Sequence, residues 1–155
     1  MLPDRLRTLT SRDMMSRDLL VLRDDMSVAD AIETLQHGKH SGAPVVDNEG
    51  RLVGTVSLRD IARTKSPKIP QGDDSALISH EMISGWKYQD KNLASVMRCD
   101  PPHVSEHERL IDIARLMCHV HMHKVPVINA HRKLVGLITT MDILAALVAV
   151  VDELD

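Results

Sequence analysis

The sequence predicts an α+β fold made of two similar β-α-β-β-α units. The residues G-L-I-T-T-M-D at positions 136–142 repeat the pattern G-T-V-S-L-R-D at positions 54–60, which lies 82 residues earlier. The same shift, applied without a gap, superposes further residues: Met15 on Met97, Asp30 on Asp112, Pro44-Val45 on Pro126-Val127, and Leu52-Val53 on Leu134-Val135. A repeat that stays in register over this length is most simply two equivalent folding units.

The composition allows a globular protein with an aliphatic core. The chain has 155 residues and lacks Phe, and its only aromatic residues are Trp86 and Tyr88. The net charge of −3 gives no electrostatic reason to expect nucleic acid or an acidic membrane as a partner. The longest apolar run, Ile143 to Val151, is too short to span a bilayer, and the N-terminus has no signal-peptide pattern. We therefore expect no membrane anchor.

Cysteine usage indicates a reducing compartment. Cys99 and Cys118 do not superpose under the repeat and form no C-x-x-C motif. This pattern favours free thiols over a disulfide, and hence a cytoplasmic protein.

We predict that residues 1–64 form the first unit. They include an N-terminal arm, residues 4–14, that we expect to pack on this unit. Short apolar runs bounded by turn residues predict strands, and apolar residues at helical spacing after a capping signature predict helices. The predicted elements are a strand at Leu19–Leu22, a helix from Ser27 to about Gly38, strands at Ala43–Val46 and Leu52–Val56, and a helix from Ser57 to about Thr64.

A linker is predicted at residues 65–92, where prolines, a glycine and charges cluster. It includes a possible short helix at residues 76–83. Trp86 and Tyr88 follow, either covering one edge of the core or binding a partner.

The second unit, residues 93–155, repeats the order. Its predicted elements are a strand at Pro102–Val104, a helix with Leu110, Ala114 and Met117 on one face, strands at Val125–Ile128 and Leu134–Thr139, and a helix from Thr140 to about Val151. That last helix is apolar on most sides, which is typical of a buried helix, and part of it is available to another subunit.

Two S/T-x-x-D motifs carry the candidate chemistry. Ser57 with Asp60, and Thr139 with Asp142, stand where a strand passes into a helix. One interpretation is a reciprocal helix cap that needs no ligand. The other is a binding site, because a helix start favours phosphate and a carboxylate accepts both hydrogen bonds of a ribose diol. The motif alone leaves both open.

Together these patterns resemble a tandem pair of CBS domains, also called a Bateman module. The resemblance covers about residues 12–64 and 94–150 and consists of an M-x-x-D start, a P-V-[VI] strand, an L-V-G strand and a final [ST]-x-x-D-I, each present twice. It implies two CBS units related by a pseudo-two-fold axis, with two clefts at their junction. In this family the clefts commonly bind AMP, ADP or ATP, and the pairs commonly form homodimers.

The resemblance also implies roles for individual residues. The hydroxyl that serves the phosphate falls on Ser57 and Thr139, and the aspartate that binds ribose falls on Asp60 and Asp142. No ring is present to stack on adenine, so aliphatic and backbone contacts are expected from Leu20, Val21, Pro102, His103, Val125, Pro126 and Ile138. Candidate phosphate-binding cations are Lys124 and His123 in the second unit and Arg59 in the first. We expect the Thr139 cleft to be the better phosphate site.

A second cluster, C-H-V-H-M-H at residues 118–123, contains residue types that bind zinc, and His103, His107 and His131 lie in the same unit. The first unit does not repeat it, and the spacing matches no closed four-ligand site. We predict a polar loop and no metal. A dependence of ligand affinity on pH between 5 and 8 is a further hypothesis.

The predicted function is a regulatory, non-enzymatic module that senses an adenine nucleotide and signals to a separate effector protein, which the sequence does not identify. The sequence has no motif that links a nucleophile to a base, and it implies no cofactor. Two alternatives remain. One is a partner-binding or dimerisation scaffold without nucleotide, and the other is a sensor of S-adenosylmethionine, NAD or coenzyme A.

Overall fold

A computed structural model describes residues 4–65 and 91–153. The predicted short helix at residues 76–83, Trp86 and Tyr88 lie outside the described residues. The contacts divide the chain into two compact units. The central unit comprises Leu20–Pro101, and the terminal unit combines Met1–Leu19 with Pro102–Asp155.

The described helices and strands have the following bounds. The helices are α1 Asp4–Thr8, α2 Ser11–Met14, α3 Val28–His37, α4 Leu58–Lys65, α5 Leu110–Val120 and α6 Thr140–Asp152. The strands are β1 Leu22–Arg23, β2 Gly42–Val46, β3 Leu52–Ser57, β4 Arg98–Cys99, β5 Val104–Ser105, β6 Lys124–Ile128 and β7 Leu134–Thr139. A single 3-10 turn covers Leu93–Ser95.

In the central unit, the chain order β1-α3-β2-β3-α4 confirms the predicted β-α-β-β-α pattern. The sheet has the order β1-β2-β3-β4, with β1 parallel to β2 and the other neighbours antiparallel. Helix α3 begins after Ser27, whose hydroxyl oxygen accepts a hydrogen bond of 3.1 Å from the N–H of Asp30. The core is aliphatic and includes Leu22, Val28, Leu35, Val45, Val56, Ile61 and Leu93.

The terminal unit repeats this pattern as β5-α5-β6-β7-α6. Its sheet has the order β5-β6-β7, with β5 parallel and β7 antiparallel to β6. The buried residues of its core are Leu6, Val104, Leu110, Ile113, Met117, Val125, Val127, Ile138, Ile143 and Val150. The two repeats therefore build two separate aliphatic cores, as expected for an α+β fold with an internal repeat.

The N-terminal arm does not pack on the first repeat, and that prediction is wrong. Leu6 is buried in the core of the terminal unit, which the second repeat forms. The N–H of Ser11 donates to the carbonyl of Glu108 at 2.8 Å. Ser16 and Leu137 exchange both backbone hydrogen bonds, at 2.9 and 3.0 Å. Apolar burial and backbone pairing thus both hold the arm on the second repeat.

Residues 91–101 show the equivalent behaviour in the central unit. The N–H of Val28 donates to the carbonyl of Lys91 at 3.0 Å, and strand β4 pairs with β3. Leu93 is fully buried in the core that the first repeat forms. The predicted boundaries at 1–64, 65–92 and 93–155 follow the sequence repeat. In the structure, each compact unit also contains the segment that precedes the other repeat.

Two glycines allow these two segments to pack closely on the strands of the units. A Cβ atom on Gly54 would lie 2.7 Å from Sδ of Met97 and 2.8 Å from the carbonyl oxygen of Arg98. At Gly136 the three nearest atoms all belong to the side chain of Met15. The methionine of each M-x-x-D start therefore packs directly on the backbone of an L-V-G strand, where a side chain has no room.

Both cysteines are exposed free thiols, as predicted. Within residues 4–65 and 91–153, every helix lacks either the length or the apolar character needed to cross a bilayer. The last helix is apolar as predicted but only partly buried, since α6 buries Ile143 and Val150 while Leu144, Val148 and Val151 are exposed.

Candidate functional site

The second motif, Thr139 with Asp142, lies where β7 passes into α6. The N–H and the hydroxyl of Thr139 both donate to Oδ2 of Asp142, at 2.7 and 2.9 Å. The N–H of Asp142 donates to Oγ1 of Thr139 at 3.3 Å. These bonds form the reciprocal capping box that the sequence predicted, and they fix the orientation of the carboxylate.

The first motif, Ser57 with Asp60, has the same geometry between β3 and α4. The N–H of Ser57 donates to Oδ2 of Asp60 at 3.1 Å, and the N–H of Asp60 donates to Oγ of Ser57 at 3.1 Å. Both motifs are half-buried. Each therefore presents its remaining carboxylate oxygen, Oδ1, in a fixed position.

A similar arrangement in the N-terminal arm limits what the capping geometry alone can mean. The N–H and hydroxyl of Thr10 donate to Oδ2 of Asp13, both at 2.8 Å. The bond from the Thr10 N–H is the main reason why the pKa of Asp13 lies below its usual range. This box caps the start of a four-residue helix at which no ligand is predicted. The capping geometry alone therefore does not indicate a binding site.

The two repeated motifs differ at the second carboxylate oxygen. Oδ1 of Asp60 accepts hydrogen bonds from Nε and Nη2 of Arg98, both at 2.8 Å. Among the described residues, Oδ1 of Asp142 accepts no hydrogen bond, and the side chain of Asp142 is hydrogen-bonded only to Thr139. Arg98 is not among the residues predicted from the sequence. The first motif thus carries an internal partner, while the second retains an available acceptor.

The strand register puts a cation beside the second motif. Lys124 lies directly opposite Thr139 in the β6–β7 pair, and Pro126 lies opposite Leu137. Residues that face each other in an antiparallel pair lie on the same side of the sheet. Lys124 is exposed, and its counterpart in the first repeat is Gly42. The second motif therefore has a lysine where the first has no side chain.

The opposite side of the same strands is buried. Val125 pairs with Ile138, and both side chains are fully buried in the core of the terminal unit. Their side chains therefore face the core and not the side of Thr139, because side chains alternate between the faces of a strand. Their contact with an adenine ring stays a prediction. Pro126 remains on the side of Thr139, and Leu137 joins it.

One backbone donor is left over at the start of α6. The N–H of Thr140 donates to the carbonyl of His123 at 3.0 Å, and that of Asp142 is taken up by the cap. The N–H of Met141 has no hydrogen-bond partner within the described part of the chain. This donor, the ammonium of Lys124 and Oδ1 of Asp142 are groups that could serve one anion and one diol.

The other predicted residues lie at the entrances to the first strands. His103 precedes Val104, which pairs with Val127, so the register places His103 beside Pro126. His103 is half-buried, whereas Pro102 is exposed. In the central unit the equivalent positions are Leu20, half-buried, and Val21, exposed; Arg59 beside the first motif is half-buried.

The histidine cluster lies between α5 and β6. His119 and His123 are exposed, and His121 ends α5 in a left-handed conformation with φ of 53°. Of the His, Cys, Asp and Glu residues that the structure describes, no three are grouped so as to hold a metal ion. The geometry gives the cluster the role of a helix end and loop.

Comparison with known families decides which fold family this is. A model of the CBS domain matches twice, at residues 12–66 and 93–149. The chain belongs to the CBS domain family. The tandem CBS pair that the sequence predicted is confirmed, and each match contains one of the two repeated motifs, Ser57 with Asp60 or Thr139 with Asp142.

Similar CBS proteins come from distant organisms. A CBS domain-containing protein of Dictyostelium discoideum is 26% identical over 142 residues, which cover 91% of this chain and 92% of that protein. The chloroplastic CBS domain-containing protein CBSX2 of Arabidopsis thaliana is 30% identical over 141 residues, 84% of this CBS pair and 59% of CBSX2. This CBS pair therefore spans little more than half of CBSX2.

Among solved structures, CBSX2 in complex with AMP is similar to this chain with a TM-score of 0.71. The sequence identity in that comparison is 29%, and it covers 91% of this chain and 97% of the crystallised CBSX2 chain. The bound AMP belongs to CBSX2. For this CBS pair the likeness establishes the same arrangement of helices and strands.

Proposed function

We propose that this CBS pair is a regulatory module that binds an adenine nucleotide, AMP, ADP or ATP, and is not an enzyme. The observation that carries the proposal is the second motif. Asp142 keeps an available carboxylate oxygen, with Lys124 across from Thr139 on the neighbouring strand. The AMP complex of CBSX2, a 29% identical CBS pair, supports the same ligand class.

Each part of a nucleotide has a matching group at the second motif. Oδ1 of Asp142 accepts from the ribose diol, because a carboxylate oxygen has two lone pairs available. The phosphate contacts the N–H of Met141 at the positive end of α6 and the ammonium of Lys124. The base lies against Pro126 and Leu137, with Pro102 and His103 at the next strand.

The remaining parts of the proposal follow from this role. Occupancy of the site is passed to a separate effector protein, and no cofactor or metal takes part. A net charge of −3 disfavours nucleic acid as the partner. The two exposed free thiols favour the cytoplasm.

Thermal unfolding with added ligands tests the proposal. AMP, ADP or ATP at about a hundred times its dissociation constant should stabilise the fold by about 2.7 kcal/mol and raise Tm by about 5–10 °C. S-adenosylmethionine, NAD and coenzyme A are run in parallel, because they share the adenosyl diol. The substitution Asp142→Asn should reduce the shift, because the amide has one oxygen, which cannot serve both the helix cap and the ligand at the second motif.

Asp13→Asn is the matched control, because it alters an aspartate that caps a helix in the same way but has no proposed ligand. It should lower the starting Tm and leave the ligand shift intact. If no adenosyl compound shifts Tm, or if both variants retain the shift equally, the nucleotide proposal fails and the scaffold function becomes the better account.

A second observation favours self-association. One exposed stripe runs along α6 with the spacing of alternating a and d positions in a heptad: Met141, Leu144, Val148 and Val151. Their exposed fractions are 52% or more, and the helix carries no charge between Asp142 and Asp152. A seam of this kind can pair with its own copy, so we propose that the protein forms a homodimer through α6.

Light scattering after size-exclusion chromatography tests the dimer. The unmodified protein should have twice the mass of the 17.3 kDa chain, and Val148→Glu should convert it to a monomer. Ile111→Glu is the control, because Ile111 is also exposed, at 38%, but lies on α5 away from the seam. A monomer before any substitution, or a dimer that survives Val148→Glu, would contradict this interface.

A further inference from the structure

We propose that Arg98 is an internal competitor at the first motif, where it weakens the binding of an uncharged nucleoside more than that of a nucleoside that carries phosphate. This inference rests on the proposed function, because it assigns a selectivity to the same kind of site. It makes the two motifs unequal. The second accepts a diol directly, whereas the first favours a ligand whose phosphate draws Arg98 away.

The contacts of Asp60 show why a diol meets competition there. Strand β4 pairs with β3 so that Arg98 lies opposite Thr55, two residues before Ser57. From that position, Nε and Nη2 of Arg98 both lie 2.8 Å from Oδ1 of Asp60. Oδ2 already accepts the N–H of Ser57. Both oxygens are therefore engaged before any ligand arrives.

The other repeat provides an internal comparison. Shifted by 82 residues, Arg98 corresponds to Ser16 and Thr55 to Leu137. Ser16 pairs with Leu137 through the backbone, as Arg98 pairs with Thr55. The serine side chain makes no contact with Asp142 among the described residues, and Oδ1 of that carboxylate stays available. At this position, arginine in one repeat and serine in the other thus make the two carboxylates unequal.

The exposure of the ion pair explains how phosphate would release it. The side chain of Arg98 is 63% exposed, whereas that of Asp60 is only 12% exposed. The guanidinium can therefore move while the carboxylate stays fixed. A phosphate offers the guanidinium a charged, bidentate replacement for Asp60. An uncharged nucleoside offers no replacement and must displace the ion pair without compensation.

The size of the effect follows from the kind of ion pair involved. Pairs with an exposed partner contribute little, so removing Arg98 should strengthen the binding of an uncharged nucleoside only about two- to fivefold. The same removal should not strengthen AMP binding, because AMP loses the partner of its phosphate. The diagnostic quantity is therefore the ratio of the AMP and adenosine affinities.

Isothermal titration calorimetry with adenosine and AMP tests the inference, one motif at a time. In an Asp142→Asn background, which leaves the first motif, Arg98→Ser should tighten adenosine binding about two- to fivefold and lower the preference for AMP. Arg98→Gln, which keeps more of the side-chain volume, should do the same. In an Asp60→Asn background, Ser16→Arg should weaken adenosine binding by a similar factor and raise the preference for AMP.

Unfolding midpoints of all variants are recorded to confirm that they are folded. The inference is overturned if Arg98→Ser and Arg98→Gln leave adenosine affinity unchanged, or weaken both ligands in parallel, which would make Arg98 an ordinary ligand contact. It is also overturned if the Asp142→Asn chain does not bind AMP. If the unmodified chain binds neither compound, the proposed function fails together with it.

Discussion

Leu6→Ala is expected to destabilise the second repeat, and Leu93→Ala the first. Leu6 precedes the first repeat and Leu93 precedes the second, so each substitution should affect the repeat that it does not precede directly. Leu6 is 8% exposed in the core of the terminal unit, and Leu93 is fully buried in the core of the central unit. Removing a buried leucine side chain costs about 2–5 kcal/mol, through lost burial and the cavity left behind. Leu93 should lie at the upper end of this range.

Amide hydrogen exchange resolves the two units. Leu6→Ala should lower protection in β6 and β7 while α3 stays protected, and Leu93→Ala should produce the opposite pattern. The two variants serve as controls for each other, because the substitution is identical. If each substitution instead lowers protection in the repeat that is nearer in the sequence, Leu6 does not pack on the second repeat and Leu93 does not pack on the first.

Gly54→Val is expected to cost about 3 kcal/mol, at the upper end of the range for overpacking. A Cβ atom at this position meets both Sδ of Met97 and the carbonyl oxygen of Arg98, at 2.7 and 2.8 Å. The methionine side chain can move, but the carbonyl belongs to the backbone of β4. The substitution should therefore separate β4 from β3, and urea denaturation would measure the loss.

Gly136→Val provides the matched comparison for this prediction. It occupies the equivalent strand position, but none of its three nearest atoms is backbone: Sδ and Cγ of Met15 can rotate away, and Cβ of Met15 would lie 2.9 Å away. We expect a smaller destabilisation there. Met97→Ala should restore only part of the stability lost in Gly54→Val, because the carbonyl contact remains. Equal effects of the two valine substitutions would show that the backbone contact is not what requires glycine at position 54.

Much of the secondary structure could be predicted because the repeat supplies each pattern twice. Strand β7 has the predicted bounds, Leu134–Thr139, and α6 begins at Thr140 as expected. The first strand of each unit was less accurate. β1 and β5 contain two residues each, and their parallel pairing with β2 and β6 starts only at Leu22 and Val104. So short a strand leaves little local signal.

The placement of the N-terminal arm could not be predicted, and the reason is the repeat itself. Met15 has two equivalent partners in the sequence, Gly54 and Gly136, because each lies in an L-V-G strand. Local patterns fit both. The choice depends on which glycine the methionine reaches in three dimensions, and the structure places it on Gly136.

Part of the site geometry was predictable. Ile138 stands next to Thr139, so alternation along a strand puts the two side chains on opposite faces. This alternation places Leu137, and not Ile138, on the side of Thr139. Arg98 is a different case. Its contact with Asp60 depends on the pairing of β4 with β3, which joins residues 38 apart and leaves no periodic trace.

The recruitment of the N-terminal arm by the second repeat also sets an order of events during protein synthesis. The central unit is continuous in the chain and can fold once Pro101 has left the ribosome. The arm emerges first, yet Ser11 must wait for Glu108, 97 residues later. At about 5–20 residues per second, that delay is roughly 5–20 s. Throughout it, the apolar side chain of Leu6 lacks its partners in the second repeat, so the terminal unit closes after the central unit can fold and the arm is exposed to chaperones and aggregation in the meantime.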